Sequence, residues 1–137
     1  MYTSKIFVTV DAVVFKEQSV LLIKRLKEPF QDCWALPGGF VDENEDLLDA
    51  VKRELLEETN IKANDFVQIG AFGTPGRDPR HHTVSVVFAT KVPTNTQAIA
   101  ADDAKEAEWF AINNLPELAF DHQEIIAFTL EKNNNAI

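Results

Sequence analysis

The 137-residue sequence predicts an α/β fold, a mixed sheet with helices on both faces. Three observations predict it. β-Branched apolar runs precede and follow one strongly helical stretch, Leu47 to Thr59. A second helical stretch follows the break at Pro116. No repeat, linker or low-complexity block divides the chain, so residues 1–137 read as one domain around one core.

Lys5 to Phe15, KIFVTVDAVVF, reads as the first strand, with Asp11 as its one acidic interruption. Glu17-Gln18 is a turn, and Ser19 to Arg25 is a second strand that pairs with the first. Lys27 to Cys33 is a loop containing Pro29. Trp34 to Leu36 is a short apolar piece stopped by Pro37-Gly38-Gly39, which reads as a turn. The helix Leu47–Thr59 has Asp46 as N-cap, Asp49 positioned for a weak capping box, and Asn60 suited to a left-handed end. Asp65 to Gly73 and Thr83 to Val92 read as strands, separated by the Pro- and Gly-containing loop Thr74–His82. Pro93 to Lys105 is polar loop and Ala107 to Ala111 a short strand. In the last helix Asp121 and Glu124 form a D-x-x-E capping box, and Ile125, Ile126, Phe128 and Leu130 supply apolar surface. The final NNNAI reads as a frayed tail.

A net charge of −9 argues against a nucleic-acid surface, which needs Lys and Arg in excess. No apolar run approaches the roughly 20 residues that span a bilayer. MYTSKIFVTV shows no signal-peptide pattern, and the single Cys33 offers no intramolecular disulfide. A cytoplasmic protein is the expectation. An anionic ligand would need local positive charge, and a divalent cation held by clustered carboxylates can supply it.

Glu54, Glu57 and Glu58 form such a cluster. At about 100° per residue they cover roughly 100° of arc, continuous with Leu47, Ala50 and Val51. One reading is a solvated acidic face with an Arg53–Glu57 ion pair. Against it, an apolar-side carboxylate is costly unless it is paired or bound to metal. The last turn carries acids where the helix dipole favours cations. Gly38-Gly39, just before the helix, allows close backbone approach. Together these point to a divalent-cation site of Glu oxygens plus a backbone carbonyl, and hard oxygen donors favour Mg²⁺ or Mn²⁺.

Gly39, Glu45 and Arg53-Glu54-Leu55-Leu56-Glu57-Glu58-Thr59-Asn60-Ile61 resemble the Nudix box, G-x5-E-x7-R-E-U-x-E-E-x-G-U, with U a bulky aliphatic residue. The one departure is Asn60 in place of the last Gly, and Asn tolerates the left-handed conformation. The resemblance implies an αβα sandwich that hydrolyses a nucleoside diphosphate linked to another moiety, using Mg²⁺ or Mn²⁺. Carried over, it implies that Glu54, Glu57 and Glu58 are the catalytic metal-binding acids and that the Gly38 carbonyl is a further ligand. It implies an ion pair of Arg53 with Glu45 that holds the loop against the helix, and a homodimer.

Gly73 to Phe88, GTPGRDPRHHTVSVVF, resembles the ADP-ribose pyrophosphatase branch of the family. So do Asp102-Asp103-Ala104, Trp109-Phe110 and Leu118 to His122. The resemblance implies ADP-ribose as substrate, with AMP and ribose 5-phosphate as products. Arg77, Arg80 and Arg25 are then expected to contact phosphate or ribose, since a guanidinium fork matches such oxygens. Asp102 and Asp103 are expected to supply an extra acid, as general base or as orienter. The alternatives are a Nudix hydrolase of another nucleotide derivative and a non-catalytic ADP-ribose sensor. The intact box carboxylates argue against the sensor.

His81, His82 and His122 are expected in structural or surface roles. Adjacent His81 and His82 would face opposite ways in a strand and could not ligate one ion. Cys33 reads as a small buried apolar group, and Trp34, Trp109 and Phe110 as core. One of the ten Phe, or an aromatic across a dimer interface, could still stack on a base.

Overall fold

A computed structural model describes residues 4–136. Its elements run β1 (Phe7–Lys16), β2 (Ser19–Arg25), β3 (Trp34–Ala35), β4 (Gly38–Phe40), α1 (Leu47–Thr59), β5 (Val67–Phe72), β6 (Thr83–Lys91), β7 (Ala104–Ala111) and α2 (His122–Ala136). The sheet order is β3-β2-β1-β6-β5, with β4 on β1 and β7 on β2. Among the described strands only β1 and β6 pair in parallel, from Phe7↔Thr83 to Phe15↔Lys91, and an isolated parallel bridge joins Trp34 to Leu118.

β1 and β2 pair only at Phe15↔Val20 and Lys16↔Ser19, beside the Glu17 turn, and then diverge. The chain from Trp34 to Phe40 fills the gap. β3 takes the β2 side through Ile23↔Ala35, and β4 takes the β1 side through Asp11↔Gly38, Val10↔Gly39 and Thr9↔Phe40. The Gly-Gly stretch expected as a turn is therefore a strand. A Cβ on Gly38 would lie 2.1 Å from the Val10 carbonyl oxygen, so this pairing tolerates only glycine.

Alternate residues of β1 serve the two faces. Val10, Ala12 and Val14 pack with Ala50, Val51 and Leu55 of α1. Val13 and Phe15 pack with Ile125 and Ile126 of α2. Helices thus cover both faces, as the sequence predicts.

The α1 caps also agree. Asp46 accepts from the Leu48 N–H, and Asn60, at φ 61°, donates to Leu56 O. β7 begins earlier than its apolar core suggests, because it pairs along β2 as far as Arg25↔Ala104 and turns Lys105 and Glu108 to solvent. β5 is shorter than expected and irregular between Gln68 and Gly70. The backbone of α2 runs on to Ala136, into the stretch expected to fray, and Ile137 lies outside the described residues. Trp34, Trp109 and Phe110 pack against the cores as expected, whereas Cys33 is only partly buried. No helix among the described residues is long and apolar enough to cross a membrane.

Candidate active site

The Asp11 end of β1, β4, the α1 carboxylates and the Arg77–Thr83 loop enclose a cleft of about 320 Å³. Glu54 and Glu58 line it. Gly39 makes room for the first, since a Cβ there would lie 2.6 Å from the Glu54 carboxyl. Glu58 is buried, and its Oε1 accepts the Gly38 N–H at 2.8 Å. Burial outweighs that hydrogen bond, and nearby Glu54, Asp103 and Asp11 add repulsion, so the Glu58 pKa is pushed up to about 9. Burial raises the Glu54 pKa too, against the pull of Arg53.

Arg53 organises the other acids. It meets Glu45 as a fork, Nε to Oε2 at 2.7 Å and Nη2 to Oε1 at 2.9 Å. Nη2 also donates to Phe40 O at 3.1 Å, which ties the loop before α1 to the helix. Its Nη1 donates to Glu54 at 2.7 Å and to Glu57 at 2.9 Å. The solvated-face ion pair with Glu57 therefore exists, but as one part of a network. Glu57 is the most exposed of the three box acids and does not line the cleft. Among the described residues no three His, Cys, Asp or Glu side chains yet converge as a set of metal ligands. The donors nevertheless suit a hard divalent cation. They are carboxylate oxygens, one of them on the buried Glu58, beside the Gly38-Gly39 backbone that Asp11 and Glu54 approach closely.

The C-terminal carbonyls of α1 are satisfied by backbone rather than by cationic side chains. Ile99 N–H donates to Thr59 O at 2.9 Å and Ala101 N–H to Glu58 O at 3.0 Å. This docking brings Asp103 into the cleft wall, where Lys27 Nζ lies 3.3 Å from it. Asp102, at φ 55°, is exposed and lies outside the lining.

The three expected arginines all line the cleft but differ in what holds them. Arg77 is almost fully buried and grips Asp121 through Nε at 2.9 Å and Nη2 at 2.6 Å. It fastens the loop to the start of α2, a bracing role the sequence did not suggest, and it takes up the carboxylate expected to cap that helix. Arg80 pairs with buried Asp78, Nε to Oδ1 at 3.0 Å and Nη2 to Oδ2 at 2.8 Å, yet stays partly exposed. Burial pushes the Asp78 carboxyl up, but hydrogen bonds from Arg80 and Thr83 prevail and hold its pKa at about 2. Arg25 donates from Nε to Pro29 O at 2.7 Å. Burial, and then the nearby Arg80 charge, lower its pKa. Arg25 and Arg80 thus share the cleft with Glu54 and Glu58, Arg80 as the partner of Asp78.

Sequence reasoning missed the cleft floor. Asp11 is buried, accepts from Ser85 Oγ, and lies 3.6 Å from His122 Nε2. His122 Nδ1 accepts the Leu36 N–H at 3.0 Å, which leaves the proton on Nε2 toward Asp11. Burial lowers the His122 pKa, consistent with a neutral ring. An acid inside a β-branched strand was the available signal for Asp11. His81 Nδ1 meets Thr83 Oγ1 at 2.8 Å, and His82 Nε2 meets Gly73 O at 2.8 Å, both as structural contacts.

A mixed sheet between helices, with an acidic helix facing guanidinium groups across one cleft, defines a domain suited to cation-assisted phosphate chemistry. The chain belongs to the NUDIX domain family, whose model matches residues 5–128. It is 49% identical to the ADP-ribose pyrophosphatase of Methanocaldococcus jannaschii over 87% of this chain and 70% of that protein. The NUDIX domain of Shewanella oneidensis NrtR, complexed with ADP ribose, superposes with a TM-score of 0.86 at 32% identity, covering 95% of this chain and 90% of that one. A bifunctional NMN adenylyltransferase/ADP ribose pyrophosphatase of Francisella tularensis, complexed with AMP and a manganese ion, gives 0.81 at 35% identity. That match covers 92% of this chain and 41% of the Francisella chain.

Proposed function

We propose that the chain hydrolyses the diphosphate of ADP-ribose to AMP and ribose 5-phosphate, with Mg²⁺ or Mn²⁺ as cofactor. One observation carries this reading: Glu54 and Glu58 line the same cleft as Arg25 and Arg80. The 49% identity to an ADP-ribose pyrophosphatase supports it. Glu54, Glu57, Glu58 and the Gly38 carbonyl would hold the metal, which supplies charge neutralisation and a more acidic bound water.

The chain's own groups do the rest. Water attacks one phosphorus, and the bridging P–O bond breaks to leave AMP and ribose 5-phosphate. Arg25 and Arg80 would bind phosphate oxygens through their remaining N–H donors, while Pro29 O and Asp78 hold the two guanidinium groups in place. Asp103, one of the cleft acids outside α1, would orient the water. Arg77 braces the loop that carries Arg80. By family likeness the enzyme is proposed to be a cytoplasmic homodimer.

A second reading, an ADP-ribose sensor, is favoured by the ADP-ribose complex of the NrtR NUDIX domain. The test is product analysis with Mg²⁺ on ADP-ribose, ADP-sugars, NADH, dinucleoside polyphosphates and nucleoside triphosphates. AMP released from ADP-ribose above all others supports the proposal. Faster cleavage of another compound discards the substrate, and tight ADP-ribose binding without cleavage establishes the sensor.

A further inference from the structure

Asp11 is the acid that interrupts β1, and it stands at the cleft floor with 7% of the residue exposed. Its two carboxyl oxygens have different surroundings. Oδ2 accepts from Ser85 Oγ and lies 3.6 Å from His122 Nε2. Oδ1 receives no hydrogen bond from any described residue. An ionised carboxyl can accept about four hydrogen bonds, and a buried oxygen left without one is costly. An acid kept only to tie strands together would place both oxygens on donors.

The position of Oδ1 gives it a use. Neighbouring residues of a strand face opposite ways, and Gly38 and Gly39 of β4 do so here. A Cβ on Gly39 would meet the Glu54 carboxyl at 2.6 Å, whereas one on Gly38 would meet Asp11 Oδ1 at 2.5 Å. The two glycines form a thin partition between the α1 carboxylates and Asp11, and all three acids line one cleft. The partition keeps Asp11 from converging with Glu54 and Glu58 as direct ligands of one ion. A cation of the Mg²⁺ type, however, retains several waters, whose hydrogens need acceptors.

Buried groups hold the other oxygen. Ser85 is fully buried on β6, the strand beside β1. His122 is buried at the start of α2, and its Nδ1 accepts the Leu36 N–H at 3.0 Å, so the ring proton sits on Nε2, which faces Asp11. Leu36 leads into Gly38, so the same ring holds both the acid and the strand beside it.

We propose that Asp11 Oδ1 is an outer-shell acceptor for the cleft cation, taking a hydrogen bond from one of the waters the cation retains, and that Ser85 and His122 are positioning residues that aim it. This rests on the metal-dependent reading of the site and adds to it an acid outside α1.

Mn²⁺ titrated into the full chain without substrate, followed by electron paramagnetic resonance, tests the proposal. Asp11→Asn keeps the size of the side chain and should raise Kd for Mn²⁺ about ten- to a hundredfold, the scale of losing an outer-shell partner. Ser85→Ala should act in the same direction, and it decides the matter if Asp11→Asn fails to fold in chelator. His122→Leu should also weaken uptake. His122→Gln, which keeps one acceptor and one donor, should restore it. Neither His122 variant removes an acidic charge, so a change there reports aim rather than charge. Wild-type Kd in the folded variants would overturn the proposal. So would unchanged Mn²⁺ uptake with a raised KM for ADP-ribose in Asp11→Asn, which turns the oxygen toward substrate. Uptake that falls in the variants, from a wild type that releases no AMP from ADP-ribose, supports the outer-shell role and sinks the hydrolase reading alone. No uptake by wild type overturns both.

Discussion

Glu58 Oε1 accepts the Gly38 N–H at 2.8 Å, which joins the last turn of α1 to the strand that fills the gap between β1 and β2. The carboxyl is buried, and its pKa lies at about 9 rather than near 4.5. The folded state therefore holds a proton that the unfolded state releases. Between those two values stability falls as pH rises, and it is fully present only below the unfolded value. Asp78, held at about 2, acts the opposite way, and its contribution is lost in acid. Thermal melts in chelator should show stability declining from pH about 5 toward about 9. Glu58→Gln should flatten that decline. Excess Mg²⁺ should stabilise increasingly as pH rises, because binding displaces the proton. A metal-free stability that rises toward pH 9 would contradict this placement of Glu58.

Gly38 and Gly39 should fail differently. An added Cβ at Gly38 meets the Val10 backbone oxygen at 2.1 Å, and backbone cannot step aside. Gly38→Ala should cost about 1–3 kcal/mol or more in denaturant unfolding, the scale of overpacking. At Gly39 the Cβ meets only the end of the Glu54 side chain, at 2.6 Å. Gly39→Ala should keep most of its stability and lose turnover, because a box carboxylate is displaced.

The arginines should separate by assay. Arg80→Ala should raise KM for ADP-ribose about tenfold or more, the scale of a charge-assisted phosphate contact, and should also lower the melting temperature, because buried Asp78 loses its partner. Arg77→Ala leaves the Asp121 carboxylate without its clamp and should destabilise by about 3 kcal/mol or more. Steady-state kinetics and unfolding on both variants check this. A stable Arg77→Ala enzyme with a raised KM would restore Arg77 as a direct substrate contact.

Much of this was legible locally. The cap residues Asp46 and Asn60 and the apolar stripe of α1 lie within one short segment, so the helix and its acids could be read from spacing alone. The cleft floor could not. His122 reaches Leu36 across 86 positions, and Ser85 reaches Asp11 across 74. β4 was hidden because Gly-Gly reads as a turn, whereas here it serves close strand pairing. Arg77 and Arg80 look alike in RDPR, and only the fold gives one to Asp121 and the other to Asp78.

Glu57 is the box acid held farthest out, on Arg53. If it joins Glu54 and Glu58 on the metal, Glu57→Gln should lower turnover by orders of magnitude while the fold survives. Unchanged turnover at saturating Mg²⁺ would remove Glu57 from the site.

The α1 carboxylates are proposed to bind a divalent cation in the cleft. Electron paramagnetic resonance of Mn²⁺ titrated into wild type, Glu57→Gln and Glu58→Gln at neutral pH tests it without requiring turnover. The free-Mn²⁺ signal should disappear on wild type and be largely retained with either variant. Equal uptake by all three proteins would contradict it.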